Sequence, residues 1–304
     1  MQDIIIIGAG PAGMTAAVYG ARAGLDVLVL EGAMAGGQAL NAHNIENYPG
    51  FENGVSGYEL AYAMQNQLKR LGAKLVSAAV TDVRLNGAVK EIITAKETYT
   101  SKTVIIATGA KPKKLGVERE DEFTGAGVSY CATCDGGFFK NKTVAVVGGG
   151  DTALSDAIYL ARIAKKVYII HRRDEFRAAK SLVNAALALE NVEPLYDTVV
   201  SSLEGSVSLE ALLVKNVKSS AVTRLEVDGV FAAVGSVPQT EIFTGQLELK
   251  DGCVEADDTV TGAAGVFAAG DVVRGVYRQV VTACAAGAVA AMKAAEYINE
   301  VENG

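Results

Sequence analysis

The same pattern occurs twice along this chain. Residues 3 to 31 read DIIIIGAGPAGMTAAVYGARAGLDVLVLE, residues 143 to 171 read TVAVVGGGDTALSDAIYLARIAKKVYIIH, and a shift of 140 aligns them without a gap. Each copy passes from a short apolar strand through a glycine turn into a helix of small residues, then into a second apolar strand. That order is the opening βαβ unit of a doubly wound sheet, whose parallel strands are buried on both faces and read as continuous apolar runs. The fold class expected is α/β, with two Rossmann-like, three-layer ββα nucleotide-binding domains.

The glycines have separate duties. In the first copy Gly8 permits a tight turn, Gly10 lets backbone approach a pyrophosphate, and Gly13 lets the helix pack on its strand. The second copy repeats Gly148 and Gly150, with Ala153 in the third role. The strand ends differ. Copy one ends in Glu31, an acid placed to bind ribose hydroxyls, whereas copy two ends in His171, followed by Arg172, Arg173 and Arg177. A carboxylate repels a 2′-phosphate, while guanidinium groups grip one through paired hydrogen bonds. Copy one therefore suits FAD and copy two NADPH; the plainer reading of the basic run is a solvated turn.

Landmarks between the copies set the domains. Val104-Ile105-Ile106-Ala107-Thr108-Gly109 closes the first nucleotide unit, and Val230-Phe231-Ala232-Ala233-Val234-Gly235 closes the second. Crossings are expected at Lys111-Pro112-Lys113 and Ser236-Val237-Pro238-Gln239. The expected division is an FAD domain over 1–112, an inserted NADPH domain over 113–242, and a return to the FAD domain over 243–304. Asn86-Gly87 marks a hairpin turn, and an alanine-rich helix is expected from about Gln279.

Cys131-Ala132-Thr133-Cys134 precedes the second βαβ unit. Two thiols at this spacing can close a disulfide loop or supply half of a zinc site. Zinc needs two more ligands, and the chain has two other cysteines, Cys253 and Cys284, and two histidines. Those two cysteines read as structural, and His43 as either a flavin contact or a loop hydrogen bond. Asp135 directly follows the pair; it is either an ordinary turn residue before Gly136-Gly137 or an acid that moves a proton as the disulfide opens and closes. Flavin can take a hydride from nicotinamide and reduce a disulfide held against its ring, so the pieces fit one electron path.

A net charge of −7 argues against nucleic acid, whose binders present a basic face. No apolar run is read as a membrane span, and the first residues lack a signal-peptide pattern, so a cytoplasmic location is expected.

In order and spacing these motifs resemble the low-molecular-weight thioredoxin reductases over essentially the full length. The matching segments include Gly8-Ala9-Gly10-Pro11-Ala12-Gly13, Gly36-Gly37-Gln38, Asn47-Tyr48-Pro49-Gly50 and Cys131-Ala132-Thr133-Cys134-Asp135-Gly136. Further matches are Gly148-Gly149-Gly150-Asp151-Thr152-Ala153, Ala269-Gly270-Asp271-Val272 and Arg278-Gln279. The resemblance implies a homodimer that binds FAD, oxidises NADPH and reduces the disulfide of thioredoxin. It also implies a large rotation of the NADPH domain. By this likeness Cys134 lies against the flavin, Cys131 attacks the thioredoxin disulfide, and Asp135 is the acid–base group. Gly8, Gly10, Pro11, Ala12, Gly13, Glu31, Gly37, Gln38, Asn47, Ala107, Thr108, Gly109, Gly270, Asp271, Arg278 and Gln279 are implied at FAD. Gly148, Gly150, Asp151, Thr152, His171, Arg172, Arg173, Arg177 and Gly235 are implied at NADPH.

Two departures stand out. Leu154-Ser155-Asp156 replaces a usual pair of successive acids, and Cys284-Ala285-Ala286-Gly287 replaces a more usual Ala-Gly-x-Gly run. Alternative readings keep the chemistry with another protein disulfide, take electrons from ferredoxin, or make the chain a non-catalytic nucleotide-binding redox sensor.

Overall fold

The computed structural model describes residues 1–42 and 44–303; His43 and the expectation attached to it lie outside them. The first segment runs β1 (Gln2–Ile7), α1 (Pro11–Arg22), β2 (Val27–Glu31), α2 (Gly57–Arg70), β3 (Lys74–Ser77), β4 (Val80–Arg84), β5 (Lys90–Thr94), β6 (Thr98–Ile106) and β7 (Ala110–Pro112). In β1 every second side chain takes the same side: Ile4 and Ile6 join the helix-side core, Ile5 and Ile7 the opposite core. Burial on both faces explains the unbroken isoleucine run. A capping box starts α2, where Ser56 Oγ accepts from Glu59 N and the Glu59 side chain accepts from Ser56 N. β4 and β5 form the hairpin expected at Asn86-Gly87, with Gly87 at φ +90°.

The second segment contains α3 (Glu120–Phe123), β8 (Val128–Ser129), α4 (Ala132–Asp135), β9 (Thr143–Val147), α5 (Asp151–Ala161), β10 (Lys166–Ile170), α6 (Lys180–Leu187) and β11 (Val192–Leu195). It continues with β12 (Thr198–Gly205), β13 (Leu209–Asn216), β14 (Val222–Glu226) and β15 (Gly229–Ala232). Its parallel sheet has the order β11-β10-β9-β15-β8, and β12-β13-β14 form a separate antiparallel sheet. Val144 and Val146 pack with α5 residues Leu154 and Ala157, while Ala145 packs with Leu203, Leu212 and Val214 of the antiparallel sheet. One parallel sheet is thus covered by helix on one face and by sheet on the other.

The chain returns through β16 (Ser236–Pro238), β17 (Leu249–Lys250), β18 (Cys253–Val254), β19 (Val266–Ala268) and α7 (Val280–Asn303). β6 is long enough to pair with two strands along one edge: Thr98–Ser101 pair with β5, and Val104–Ile106 pair with β19. The first sheet, ordered β3-β2-β1-β6-β5-β4, therefore needs the C-terminal segment for completion. The chain separates into two compact units, 1–111 with 237–304, and 112–236. β7 and β16, where the chain crosses, pair as a short two-stranded sheet. The chain leaves the second unit after Ser236, within the crossing expected at 236–239 and ahead of the domain bound expected at 243, and Gln239 is already tied to the first unit. Its N–H donates to Gly109 O at 2.9 Å, and Thr108 Oγ1 donates to its carbonyl at 2.7 Å.

By length and composition alone α7 is apolar enough to cross a membrane. The apolarity comes from alanine, and Cys284, Gly287, Ala290, Ala291, Ala294 and Ile298 form a buried stripe in the helix-side core. Small side chains at this spacing let α7 lie close against α1, the packing of a core helix.

Candidate functional site

The first unit has a nucleotide cradle at the β1–α1 turn. Gly8 has φ +104°, and a Cβ there would overlap the carbonyl oxygen of Ala107; one at Gly13 would overlap that of Gly8. Gly10 differs. Its φ of −74° suits any L residue, and the nearest atom to a Cβ would be Gly37 Cα at 3.9 Å. Nothing among the described residues asks for glycine at position 10, so the requirement belongs to whatever occupies the space before it. Pro11 and Ala12 open α1, and a helix N-terminus offers its unpaired amide groups to an anion.

Glu31, at the end of β2, accepts from Ala9 N at 2.7 Å and from Ala33 N at 2.9 Å. Beside it lies a groove lined by Ala33, Ala35, Gln65, Leu75, Val76 and Ser77. Gly36 N donates to Ala9 O, which brings the turn carrying Gly37 and exposed Gln38 back to the glycine loop. Asn47 Nδ2 donates to Gln279 Oε1 at 2.9 Å, joining residues 232 positions apart. Gly270, at φ +78°, brings the chain onto Ala12, where a Cβ would come within 2.9 Å of the Ala12 Cβ. Burial holds the Asp271 carboxyl above its usual range, opposed by the positive charge of Arg278. Ala107, Thr108 and Gly109 follow β6 directly, and Ala107 N donates to Ile7 O. The FAD-assigned residues therefore surround one end of one sheet, drawn from both ends of the chain.

The second unit repeats the turn with its own variations. Gly148 has φ +156°, and a Cβ there would come within 2.7 Å of the Ala153 Cβ, so alanine fits the third position while glycine is needed at the first. A Cβ at Gly150 would meet nothing within 4 Å, the open situation of Gly10 again. Asp151 Oδ1 accepts from Ala179 N at 2.8 Å and Gly149 O accepts from Arg177 N at 2.7 Å, so the basic segment is laced onto the glycine loop. Arg172, Arg173 and Arg177 are exposed, and none makes an ion pair among the described residues. Exposed Thr152 follows Asp151 in the first turn of α5, and Gly235 lies at φ +110° with its carbonyl accepting from Lys113 N.

His171 is placed differently from its neighbours. Its ring is buried under Gly149, where a Cβ would overlap it, and Nε2 has no partner among the described residues. Burial first, then the charges of Arg177, Arg173 and Arg172, push its pKa down.

Cys131 and Cys134 form a disulfide, with Cα atoms 5.3 Å apart. One helical turn makes this geometry: Cys131 caps α4, and its carbonyl accepts from Cys134 N and Asp135 N. The Asp135 carboxylate accepts from Ser129 Oγ at 2.6 Å. Burial raises the Asp135 pKa, and the Ser129 hydrogen bond acts against that rise. Ser129 Oγ also accepts from Cys131 N at 3.1 Å. Tyr130 donates to Glu120 Oε1 at 2.7 Å, and the Glu120 carboxylate caps Leu115 N and Gly116 N. Burial and Glu120 push the Tyr130 hydroxyl up to about 12. Both residues before the cysteine pair are thus anchored. Ser129 and Tyr130 escaped notice in the sequence because neither carries a motif; their only signal is position, at the end of a strand that enters the pair.

Cys253 and Cys284 are free and buried. The Cys284 sulfur lies 3.9 Å from both Pro11 O and the Tyr48 hydroxyl, which links the Asn47 loop to α1 and α7.

Residues 2–287 match the family described as pyridine nucleotide-disulphide oxidoreductase. The thioredoxin reductase of Streptomyces coelicolor is 46% identical over 303 residues, covering 98% of this chain and 94% of that protein. That of Streptomyces clavuligerus is 45% identical, with the same coverage of both chains. The crystal structure of thioredoxin reductase from Streptococcus pyogenes is 42% identical, with a TM-score of 0.93 over 99% of each chain. The chain belongs to the low-molecular-weight thioredoxin reductases of the pyridine nucleotide-disulphide oxidoreductase family.

Proposed function

We propose that this chain is an NADPH-dependent, FAD-containing thioredoxin-disulfide reductase. The observation that carries the reading is a Cys131–Cys134 disulfide in the same unit as a glycine cradle flanked by three guanidinium groups without carboxylate partners among the described residues. FAD supplies the switch between hydride chemistry and thiol chemistry. In the first unit the open space before Gly10 receives the pyrophosphate against the α1 N-terminus. Glu31 keeps lone pairs beyond its two backbone contacts for ribose hydroxyls. The Asn47–Gln279 pair, Gln38, Asp271 and Arg278 frame the rest of the cofactor.

In the second unit Gly150, Asp151 and Thr152 receive the NADPH pyrophosphate, and Arg172, Arg173 and Arg177 bind its 2′-phosphate. His171 holds the glycine loop from beneath, in keeping with its buried ring. Bound FAD would supply electrons to the disulfide on its Cys134 side, Cys131 would attack the thioredoxin disulfide, and Asp135 would move the proton that thiol–disulfide exchange requires. Disulfide and nicotinamide belong to one unit and must each reach the flavin, which calls for a rotation of that unit.

The enzyme is read as a homodimer. Along α7, Val281, Ala285, Ala288 and Met292 follow helical spacing on the side away from the buried stripe, and Val281 and Met292 are 42% and 47% exposed. A face of this kind suits a second copy. Free buried thiols at Cys253 and Cys284 suit a reducing, cytoplasmic setting.

Anaerobic mixing with NADPH or NADH, followed through the flavin's visible absorbance, tests the reading. NADPH is expected to bleach the flavin rapidly and NADH far more slowly, and exchanging Arg172, Arg173 and Arg177 for alanine is expected to narrow the gap. Bleaching by neither cofactor overturns it.

A further inference from the structure

Ser129 ends β8, buried beside Phe231 of β15, two residues before the redox pair. Its hydroxyl has three polar neighbours: Asp135 Oδ2 at 2.6 Å, Cys131 N at 3.1 Å and Cys131 O at 3.4 Å. A hydroxyl has one proton to give and two lone pairs. The Cys131 N–H must donate to it, which leaves one proton and one lone pair to be shared between the carboxyl of Asp135 and the carbonyl of Cys131.

We propose that Ser129 is a positioning residue for the proton step at the Cys131–Cys134 disulfide, holding Asp135 in place in both of its protonation states. When Asp135 is ionised, the hydroxyl donates to it, the short charge-assisted contact seen at 2.6 Å. When Asp135 carries a proton on Oδ2, that proton is donated to the hydroxyl, whose own proton turns to the Cys131 carbonyl. The carboxyl stays satisfied either way by rotation of one O–H bond, without movement of the backbone. An unsatisfied buried carboxyl would otherwise be driven to one state, and an acid that must gain and lose a proton in each cycle cannot be held in one state.

The proposal rests on the reading of Asp135 as the acid–base group. In that step the two-electron reduction of the S–S bond, for which bound FAD would supply the electrons, leaves two thiolates. One takes its proton from Asp135, and Asp135 regains a proton from solvent. Ser129 enters neither the electron nor the proton balance; it preserves the position and the proton affinity of the group that does.

The test compares the full-length FAD-loaded enzyme with Ser129→Ala, Ser129→Thr, Asp135→Asn and the double variant, in NADPH-driven reduction of a bacterial thioredoxin across pH. Losing a hydrogen bond to a charged group is expected to lower kcat/KM about tenfold in Ser129→Ala. Without its donor the carboxylate is less stabilised, so the limb of the pH profile that belongs to Asp135 moves to higher pH. Ser129→Thr, which keeps the hydroxyl, is expected to restore both. In Asp135→Asn the limb disappears, and adding Ser129→Ala then costs little more. A limb that stays at the wild-type pH in Ser129→Ala but vanishes in Asp135→Asn overturns the role of Ser129 and leaves that of Asp135 standing. A limb that survives in Asp135→Asn overturns both. FAD content and thermal unfolding report folding, and Ser129→Gly deletes the same hydroxyl should the alanine variant fail to load FAD.

Discussion

Gly10 and Gly13 stand one helical turn apart and require glycine for different reasons. A side chain at Gly13 would overlap the carbonyl of Gly8, whereas one at Gly10 would meet only Gly37 Cα at 3.9 Å. Gly13→Ala is therefore expected to lower the thermal stability of the apoprotein, while Gly10→Ala leaves that stability nearly unchanged and weakens FAD binding at least tenfold; unfolding scans and FAD titrations of both variants separate the two effects. Asp156, in the Leu154-Ser155-Asp156 run, is mostly buried on α5 without a hydrogen-bond partner among the described residues, and burial lifts its pKa from 3.8 to about 6. A carboxyl whose folded pKa is raised contributes stability that is present below about pH 4 and lost as pH climbs through about 6. Asp156→Asn is expected to be more stable than the parent at neutral pH, by at most about 3 kcal/mol, with the advantage gone near pH 4. Melting temperatures across that range check the sign, and an advantage that grows toward acid pH would refute it.

At the scale of elements, α7 lies with its backbone close against that of α1. A Cβ on Gly287 would overlap the carbonyl oxygen of Ala12, and its carbonyl carbon would be 2.9 Å away. Backbone cannot rotate aside as a side chain can, so the two helices would have to part. Overpacking of this kind costs about 1–3 kcal/mol. Gly287→Ala is expected to reduce both melting temperature, by roughly 5 °C, and retained FAD, because α1 carries the cradle at its N-terminus. The unusual Cys284-Ala285-Ala286-Gly287 run keeps the one residue that this contact requires and replaces another with a buried thiol. Repeats at the two glycine loops, the apolar strands and the alanine-rich last helix were legible from their spacing. The anchoring of β8 was not, because Ser129 and Tyr130 act through partners, Asp135 and Glu120, that no local pattern links to them.

For the whole molecule, the apolar outer stripe of α7 bears on assembly. If Val281 and Met292 meet a second copy, Val281→Glu with Met292→Glu is expected to convert a species of two chains into one of a single chain in sedimentation experiments. A single-chain mass for the parent protein would refute the homodimer. The arrangement of the chain into an inserted unit follows from strand economy: β6 offers one edge to β5 and β19 in succession, so the first sheet stays incomplete until the C-terminal segment returns.

The sequence by itself determined the two βαβ units, the three glycine duties, the contrast between Glu31 and the arginine cluster, and the cysteine pair. These depend on contacts within a few residues or on a period that the chain repeats, and such regularities survive in one dimension. Only the tertiary structure decided that His171 lies beneath the glycine loop while its arginine neighbours lie outside it. It alone joined Asn47 to Gln279 across the length of the chain, and Asp135 to the hydroxyl that holds it. Those relations arise from packing between segments whose separation along the chain says nothing about their distance in space, and a side chain's burial is set by what arrives from elsewhere to cover it.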